Sequence, residues 1–291
     1  MAEFPENLVF TACTGRCGQN SLVAYLNTFG ADCLAEVEPP DLLYRQHWPL
    51  GNWLRHVQRR WLVTHEDLGR GKALEWHDRD EQEPLQRLAA KRLRRIRCLC
   101  RRAGATTYLE ASKFFIRSYC DALFQARPDM GVLLLRRDPL MNARSFANRG
   151  KDFTLDGVMP HFCKACLPMD INRLSRFQLY LWQWVEIELR YQRFLESHNV
   201  RRHYEFNTED LNDPARVEEL FRFFAIGLKK PVQPLAPRNS NVSQGRQGTA
   251  VLSRDLVEFD HFVEMIPLHI LNNIPSLTEY RQAYEGREAE Q

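Results

Sequence analysis

Residues 9–22, Val-Phe-Thr-Ala-Cys-Thr-Gly-Arg-Cys-Gly-Gln-Asn-Ser-Leu, constrain the fold more than any other stretch of this chain. Leu8 to Ala12 is a short apolar run with β-branched and aromatic members, the pattern of a strand covered on both faces. Gly15 and Gly18 then permit a tight turn, and the amides of Cys17 to Leu22 are placed to converge on an anion at the positive end of a helix dipole. Arg16 adds a fixed positive charge, and Asn20 and Ser21 add side-chain donors. Strand, loop and helix start together predict an α/β fold in which residues 14–21 (Thr14, Gly15, Arg16, Cys17, Gly18, Gln19, Asn20 and Ser21) hold a phosphate-like group. The loop lacks the Gly-Lys-Ser/Thr of nucleotide triphosphatases and the third glycine of the dinucleotide fingerprint.

Strand and helix patterns alternate beyond this point, which predicts a parallel sheet with helices on both faces, a three-layer sandwich. A helix is expected over 20–29 with Gly30 as its stop, and a strand over 33–37 that leads into Glu38 and Pro39-Pro40. Residues 41–79, rich in Trp, His and Arg and weakly periodic, read as a substrate-facing insertion within one domain spanning 1–291. Trp48, Trp53, Trp61 and Trp76 fall there and suit either an aromatic acceptor pocket or buried packing. Leu85, Leu88, Leu93, Ile96 and Leu99 give an amphipathic helix over 84–102, with Lys91, Arg92, Arg94, Arg95, Arg101 and Arg102 assigned to its opposite, solvated face. Further strands are expected at 106–109, 130–135 and 202–206, and helices at 116–126, from Pro139 onward, at 173–197 and at 213–224. Asp138 is placed to cap the helix that Pro139 opens, which puts Ser145 about two turns inside it. Residues 231–248 read as loop.

With 291 residues and 44% hydrophobic content the chain can bury a large core, and its formal net charge of +3 argues against polyanion binding by bulk charge. No basic leader followed by a long apolar run opens the sequence, and no run reaches membrane-spanning length, so a cytoplasmic enzyme is the default expectation. The eight cysteines fit reduced thiols better than a disulfide framework. Cys163 and Cys166 with His161 raise a zinc site, but Cys98-Leu-Cys100 has the wrong spacing for a second knuckle, and no metal is expected.

Two basic sites at strand ends call for one ligand. Arg137 ends the 130–135 strand in Arg-Asp-Pro, and Ser145 follows it by eight residues. This arrangement resembles the 3′-phosphate-binding segment of sulfotransferases, and residues 14–21 are similar to that family's 5′-phosphosulfate loop. The segment His203-Tyr-Glu-Phe-Asn-Thr-Glu-Asp-Leu211, followed by Asp213-Pro and a helix ending in Phe223-Phe-Ala-Ile-Gly-Leu228, is similar to the family's late segment. The resemblance implies a sulfotransferase or P-loop-like fold and a co-substrate, 3′-phosphoadenosine 5′-phosphosulfate (PAPS), that leaves as 3′-phosphoadenosine 5′-phosphate (PAP), with no metal. It implies in-line transfer of a sulfuryl group to a hydroxyl of a sugar, lipid, phenol or secondary metabolite. A carboxylate general base follows from it, Glu38 first and Glu36 second, with His47 as a rival. Arg16 is then an electrostatic stabiliser, and Arg246 with Gly248 closes over the 3′-phosphate, although the family's Arg-Lys-Gly series is not reproduced. Lys113 and Ser112, following the third strand, are placed to reach the sulfuryl group or the acceptor. The expected partner is a small-molecule or glycan acceptor rather than nucleic acid. Two other readings stay open at this level: a nucleotide or small-molecule kinase of related fold, and a non-catalytic protein that engages an acidic partner through the basic helix at 91–102.

Overall fold

The computed structural model describes residues 5–38, 66–148, 164–235 and 250–289. Five strands, β1 (Asn7–Ala12), β2 (Cys33–Val37), β3 (Thr107–Ala111), β4 (Gly131–Arg136) and β5 (His203–Asn207), form one sheet in the order β2-β3-β1-β4-β5. Every pairing is parallel, with Val9 opposite Leu109 on one side and Gly131 on the other. The helices are α1 (Gln19–Phe29), α2 (Lys72–Asp78), α3 (Gln82–Ala103), α4 (Cys120–Ala126), α5 (Pro139–Ala147), α6 (Arg176–His198), α7 (Pro214–Phe223), α8 (Ser253–Glu264), α9 (Leu268–Leu271) and α10 (Pro275–Ala289).

Central β1 is buried along its whole length because side chains from both faces enter a core. Leu8, Phe10 and Ala12 join Tyr108, Val132 and Leu134 beneath α3, α4 and the second half of α6. Val9 joins Leu109, Leu133 and Phe206 beneath α1 and α7. Each fully buried large apolar side chain contributes ~1.5–3 kcal/mol, so the two layers fix the sheet between them. A third apolar cluster packs α5 and α6 against α8 to α10 through Phe146, Tyr180, Leu181, Phe259, Phe262 and Leu277.

The boundaries differ from the sequence reading for local reasons. Gly30 ends α1, but with φ −72° rather than in a left-handed cap. Its necessity is steric: a Cβ there would lie 2.6 Å from the Leu26 carbonyl oxygen. α6 starts at Arg176 because Ser175 and Gln178 form a capping box. The 116–126 helix opens with a π-helical turn, Phe115–Tyr119. α8 to α10 went unassigned from sequence, although Phe259, Phe262, Val263 and Ile266 carry a helical period. Of the expected insertion, only residues 66–79 lie within the described part. There α2 packs on the π-helical turn and α3, and Trp76 is partly buried against the core.

The assignment of Arg92 and Arg95 to a solvated face is corrected. Arg92 lies in the middle of the buried stripe of α3, between Leu88 and Ile96. Its guanidinium pairs with the buried carboxylate of Glu110 on β3 and lies 4.3 Å from the Tyr119 ring. Glu110 also accepts a hydrogen bond from the Tyr119 hydroxyl at 2.5 Å. A carboxylate buried in a sheet needs a cation, and Arg92 supplies it. Removing one member of such a pair strands a charge at a cost of ~3–5 kcal/mol. Arg92→Ala is therefore expected to lower stability by about that amount in urea unfolding; a loss under about 1 kcal/mol would show the pair to be dispensable.

Candidate anion-binding site at the carboxyl end of the sheet

The loop between β1 and α1 is shaped from beneath. The Thr14 carbonyl accepts from Arg117 Nη2 at 3.0 Å and from Gln183 Nε2 at 2.9 Å. Gly15 O accepts from Asn142 Nδ2 at 3.0 Å, and Arg16 O accepts from Arg137 Nη1 at 2.9 Å. The Thr208 hydroxyl lies 2.9 Å from Cys17 O and 3.0 Å from Arg136 O, one proton serving both. Gly18 O accepts the first intrahelical bond, from Leu22 N at 2.9 Å. Successive carbonyls thus face the protein; the Gly15 N–H turns to the buried Cys13 and Cys17 thiols, and the carbonyls of Gly15 to Cys17 turn the following N–H groups toward the opposite side.

Left-handed backbone makes this possible. Gly15, Arg16 and Gly18 have φ of 89°, 54° and 81°. Such runs form concave anion nests. A non-glycine residue there costs on the order of 1–3 kcal/mol and persists only when its surroundings hold it; Arg16 is held by its carbonyl bond to Arg137 and by a 2.6 Å bond from its Nε to Ser145 Oγ. Gly15 suits its φ of 89° as few L residues would, and a Cβ there would also crowd Lys113 Cδ at 3.1 Å. The amides that open α1 receive no side-chain cap at Gly18, and no acidic residue occupies the first turn. That leaves the positive end of the helix for an external anion.

The expected residues separate into groups. Arg16, Arg137 and Ser145 are brought together on one side of the loop. Lys113 crosses Gly15 on another, with its ammonium 3.7 Å from Glu38 Oε1 and 5.1 Å from the Phe114 ring. Glu38 follows β2 with φ 47°, and its N–H donates to Ala111 O at 3.1 Å. Glu36 stands apart from this group: both its oxygens are held by Arg95 at 2.8 Å, and one also accepts from Tyr108 Oη at 2.8 Å. Within the loop, Thr14, Cys17 and Gln19 are buried, and Gln19 Nε2 donates inward to Ala111 O at 3.1 Å. Asn20 is exposed and Ser21 half-buried on the first turn of α1. Ser112 is buried, its N–H donating to Thr11 Oγ1. His47, Arg246, Gly248, His161 and Cys163 lie outside the described residues, as do Trp48, Trp53 and Trp61. Among the described residues, no group of three or more His, Cys, Asp or Glu is arranged to hold a metal. Cys13, Cys17, Cys33, Cys98, Cys100, Cys120 and Cys166 are free thiols.

Four loop-shaping residues escaped the sequence reading: Arg117, Asn142, Gln183 and Thr208. Gln183 had a signal, a polar side chain set among the apolar Tyr180, Leu181 and Trp184. Of the two adjacent arginines, Arg136 is spent on Glu188 at 2.7 Å and Glu205 at 3.0 Å, while Arg137 turns to the loop.

Asp138 caps α5 by accepting from Met141 N at 3.0 Å, and its other oxygen accepts from Tyr284 Oη at 2.9 Å. Burial pushes its carboxyl above the ordinary aspartate value. Burial also raises Glu209, and the charge of Asp138 adds to that rise. A raised folded-state value means that the folded protein holds the Asp138 proton more tightly than the unfolded chain does. Its contribution to stability is therefore greatest in acid and is lost as pH rises from the ordinary aspartate value through the raised one. Asp138→Asn keeps a good cap and is expected to flatten the stability profile across that window. Unchanged slopes for the two proteins in urea unfolding against pH would contradict the assignment.

No family model matches the chain, and no curated protein matches it. Among solved structures it is similar to a sulfotransferase from Alicyclobacillus acidocaldarius, with a TM-score of 0.50 and 14% identity over 94% of this chain and 98% of that one. It also aligns with the sulfotransferase domain of the olefin synthase of Synechococcus PCC 7002, at a TM-score of 0.47 and 13% identity over 95% and 94% of the two chains. The sulfotransferase domain of the curacin biosynthetic pathway aligns at 0.48 and 11% identity over 94% and 98%. The parallel sheet of this chain, with helices on both faces and a glycine-bearing loop after its first strand, has the sulfotransferase fold.

Proposed function

We propose that this protein is a PAPS-dependent sulfotransferase that moves a sulfuryl group to a hydroxyl of a small-molecule or glycan acceptor. The observation that carries the reading is the inward pinning of the loop carbonyls from Gly15 to Cys17, which leaves outward amides and an uncapped helix end beside Arg16, Arg137 and Lys113. This donor set suits an extended ligand with anionic groups at both ends. The loop amides and the start of α1 would hold the 5′-phosphosulfate, and Arg137, Ser145 and Arg16 the 3′-phosphate. Bound there, PAPS supplies an activated sulfuryl group.

The remaining chemistry belongs to side chains. Glu38 takes the proton of the acceptor hydroxyl as its oxygen becomes the nucleophile. Lys113 stands between that carboxylate and the loop, where it steadies Glu38 and offsets negative charge on the sulfuryl oxygens and the leaving phosphate. Arg16, tied to Ser145, serves the 3′-phosphate end more directly than the sulfuryl end. Glu36 is the weaker candidate base because its carboxylate is already engaged by Arg95 and Tyr108. Arginine at positions 16 and 137, both assigned to the 3′-phosphate, favours bidentate oxyanion clamping over proton transfer.

Glu38→Gln is expected to leave PAP affinity within about twofold while cutting turnover with labelled PAPS and a phenol and sugar acceptor panel by ~10²–10⁴-fold. Undiminished turnover would remove Glu38 from the role. Arg137→Ala is expected to weaken PAP by about tenfold or more relative to adenosine 5′-phosphosulfate, which lacks the 3′-phosphate, because a charged hydrogen bond is worth ~1.5–3 kcal/mol. Calorimetry giving equal losses for the two nucleotides would show that Arg137 only shapes the loop.

A further inference from the structure

The amino end of the sheet carries a second surface that the proposed chemistry does not use. Here α7 ends at Phe223, and the following turn meets the end of α1: Ala31 N donates to Gly227 O at 2.7 Å, and Lys229 N to Phe29 O at 2.8 Å. In this turn Phe224 and Ile226 are buried, yet Phe223 and Leu228 are 41% and 42% exposed. Arg222, Lys229 and Lys230 are exposed beside them. No acidic residue occurs from Leu220 to Arg254.

Positive charge also lines α3, whose last turn, with Arg101 and Arg102, reaches the same end of the sheet. Arg94, Arg97, Arg101 and Arg102 are exposed on α3, and none of the four has an ion-pair partner among the described residues. The turn bonds Ala31, and Thr106, just past α3, donates its N–H to Asp32 O at 2.9 Å, so the turn and the end of α3 flank the start of β2. The nearby acids are the exposed Glu6, Asp32 and Asp129, the last paired with Arg127 at 2.7 Å, and the half-buried Glu218 and Glu219 of α7, of which Glu218 accepts from Val232 N at 3.3 Å and Glu219 is paired with Arg216.

We propose that this rim, through Phe223, Leu228, Arg222, Lys229 and Lys230 with Arg101 and Arg102 in support, docks reversibly on an anionic lipid bilayer. Cations attract the headgroup phosphates, and two apolar side chains enter the acyl boundary. A nucleic acid would use the cations but gain nothing from Leu228. The other exposed apolar group, Val257, Met265 and Leu268, does not qualify, because Glu258, Asp260 and Glu264 lie in the same segment and would repel anionic headgroups. Docking in this way turns the β1–α1 loop, at the opposite rim, away from the bilayer. The proposal stands independently of the sulfuryl-transfer reading.

Co-sedimentation of the full chain with vesicles of phosphatidylcholine alone or mixed with phosphatidylglycerol tests it. Binding is expected only to the mixed vesicles, and weaker at high salt. The double substitution Lys229→Glu with Lys230→Glu should lower the partition coefficient by about tenfold or more, and Phe223→Ser with Leu228→Ser by several-fold, at unchanged thermal unfolding. Should either turn variant fold poorly, Arg101→Glu with Arg102→Glu on exposed helix supplies the same readout. Equal binding to neutral vesicles, no vesicle binding, or variants that bind like the parent would overturn the proposal. So would displacement by RNA, or a solution dimer that the Phe223/Leu228 variant dissolves, since the surface would then serve another partner.

Discussion

A peptide whose carbonyl is held on one side presents its amide on the other, and the β1–α1 loop depends on that coupling from Gly15 to Cys17. The donors come from distant parts of the chain: Arg117 from the turn after β3, Asn142 from α5, Gln183 from α6 and Thr208 from the end of β5. Leaving one buried carbonyl unpaired costs ~1–3 kcal/mol, and the left-handed Arg16 costs a similar amount. Several such bonds outweigh the strain of one residue, so the loop conformation is a product of the whole fold rather than of its local sequence.

α6 carries much of this organisation. Within two turns it buries Gln183, Glu186, Glu188 and Arg190, each with a task. Gln183 holds the loop. Glu186 accepts the backbone amides of Cys166 and Leu167 and pairs with Arg190, which anchors the chain entering α6. Glu188 binds Arg136 and thereby decides which of two neighbouring arginines is left to serve the loop. Burying these charges is tolerable because each is paired and hydrogen-bonded.

Periodicity and turn chemistry were enough to read the five strands and helices α1 and α3 to α7, but not α2 or α8 to α10. The pattern of Leu8 to Ala12, the Asp138-Pro139 helix start and the spacing of Arg137 from Ser145 each have local causes that one sequence displays. What stayed hidden is long-range. Arg92 resembles any basic residue of a charged helix until Glu110 is seen across from it. The sequence ranks Glu38 above Glu36 as base but does not show that Arg95 and Tyr108 take Glu36. Arg117 and Thr208 carry no local mark of their bonds to residues 14 and 17, about a hundred and about two hundred positions away.

The clamp on Glu36 also sets the mechanics of its neighbour. The strand is fixed at that carboxylate, and the amide of Glu38 is bonded to Ala111, so the proposed base hangs on an arm of only two residues with its root pinned. A short stiff lever cannot swing out to meet its load. In the proposed role, the acceptor would have to bring its hydroxyl to the carboxylate.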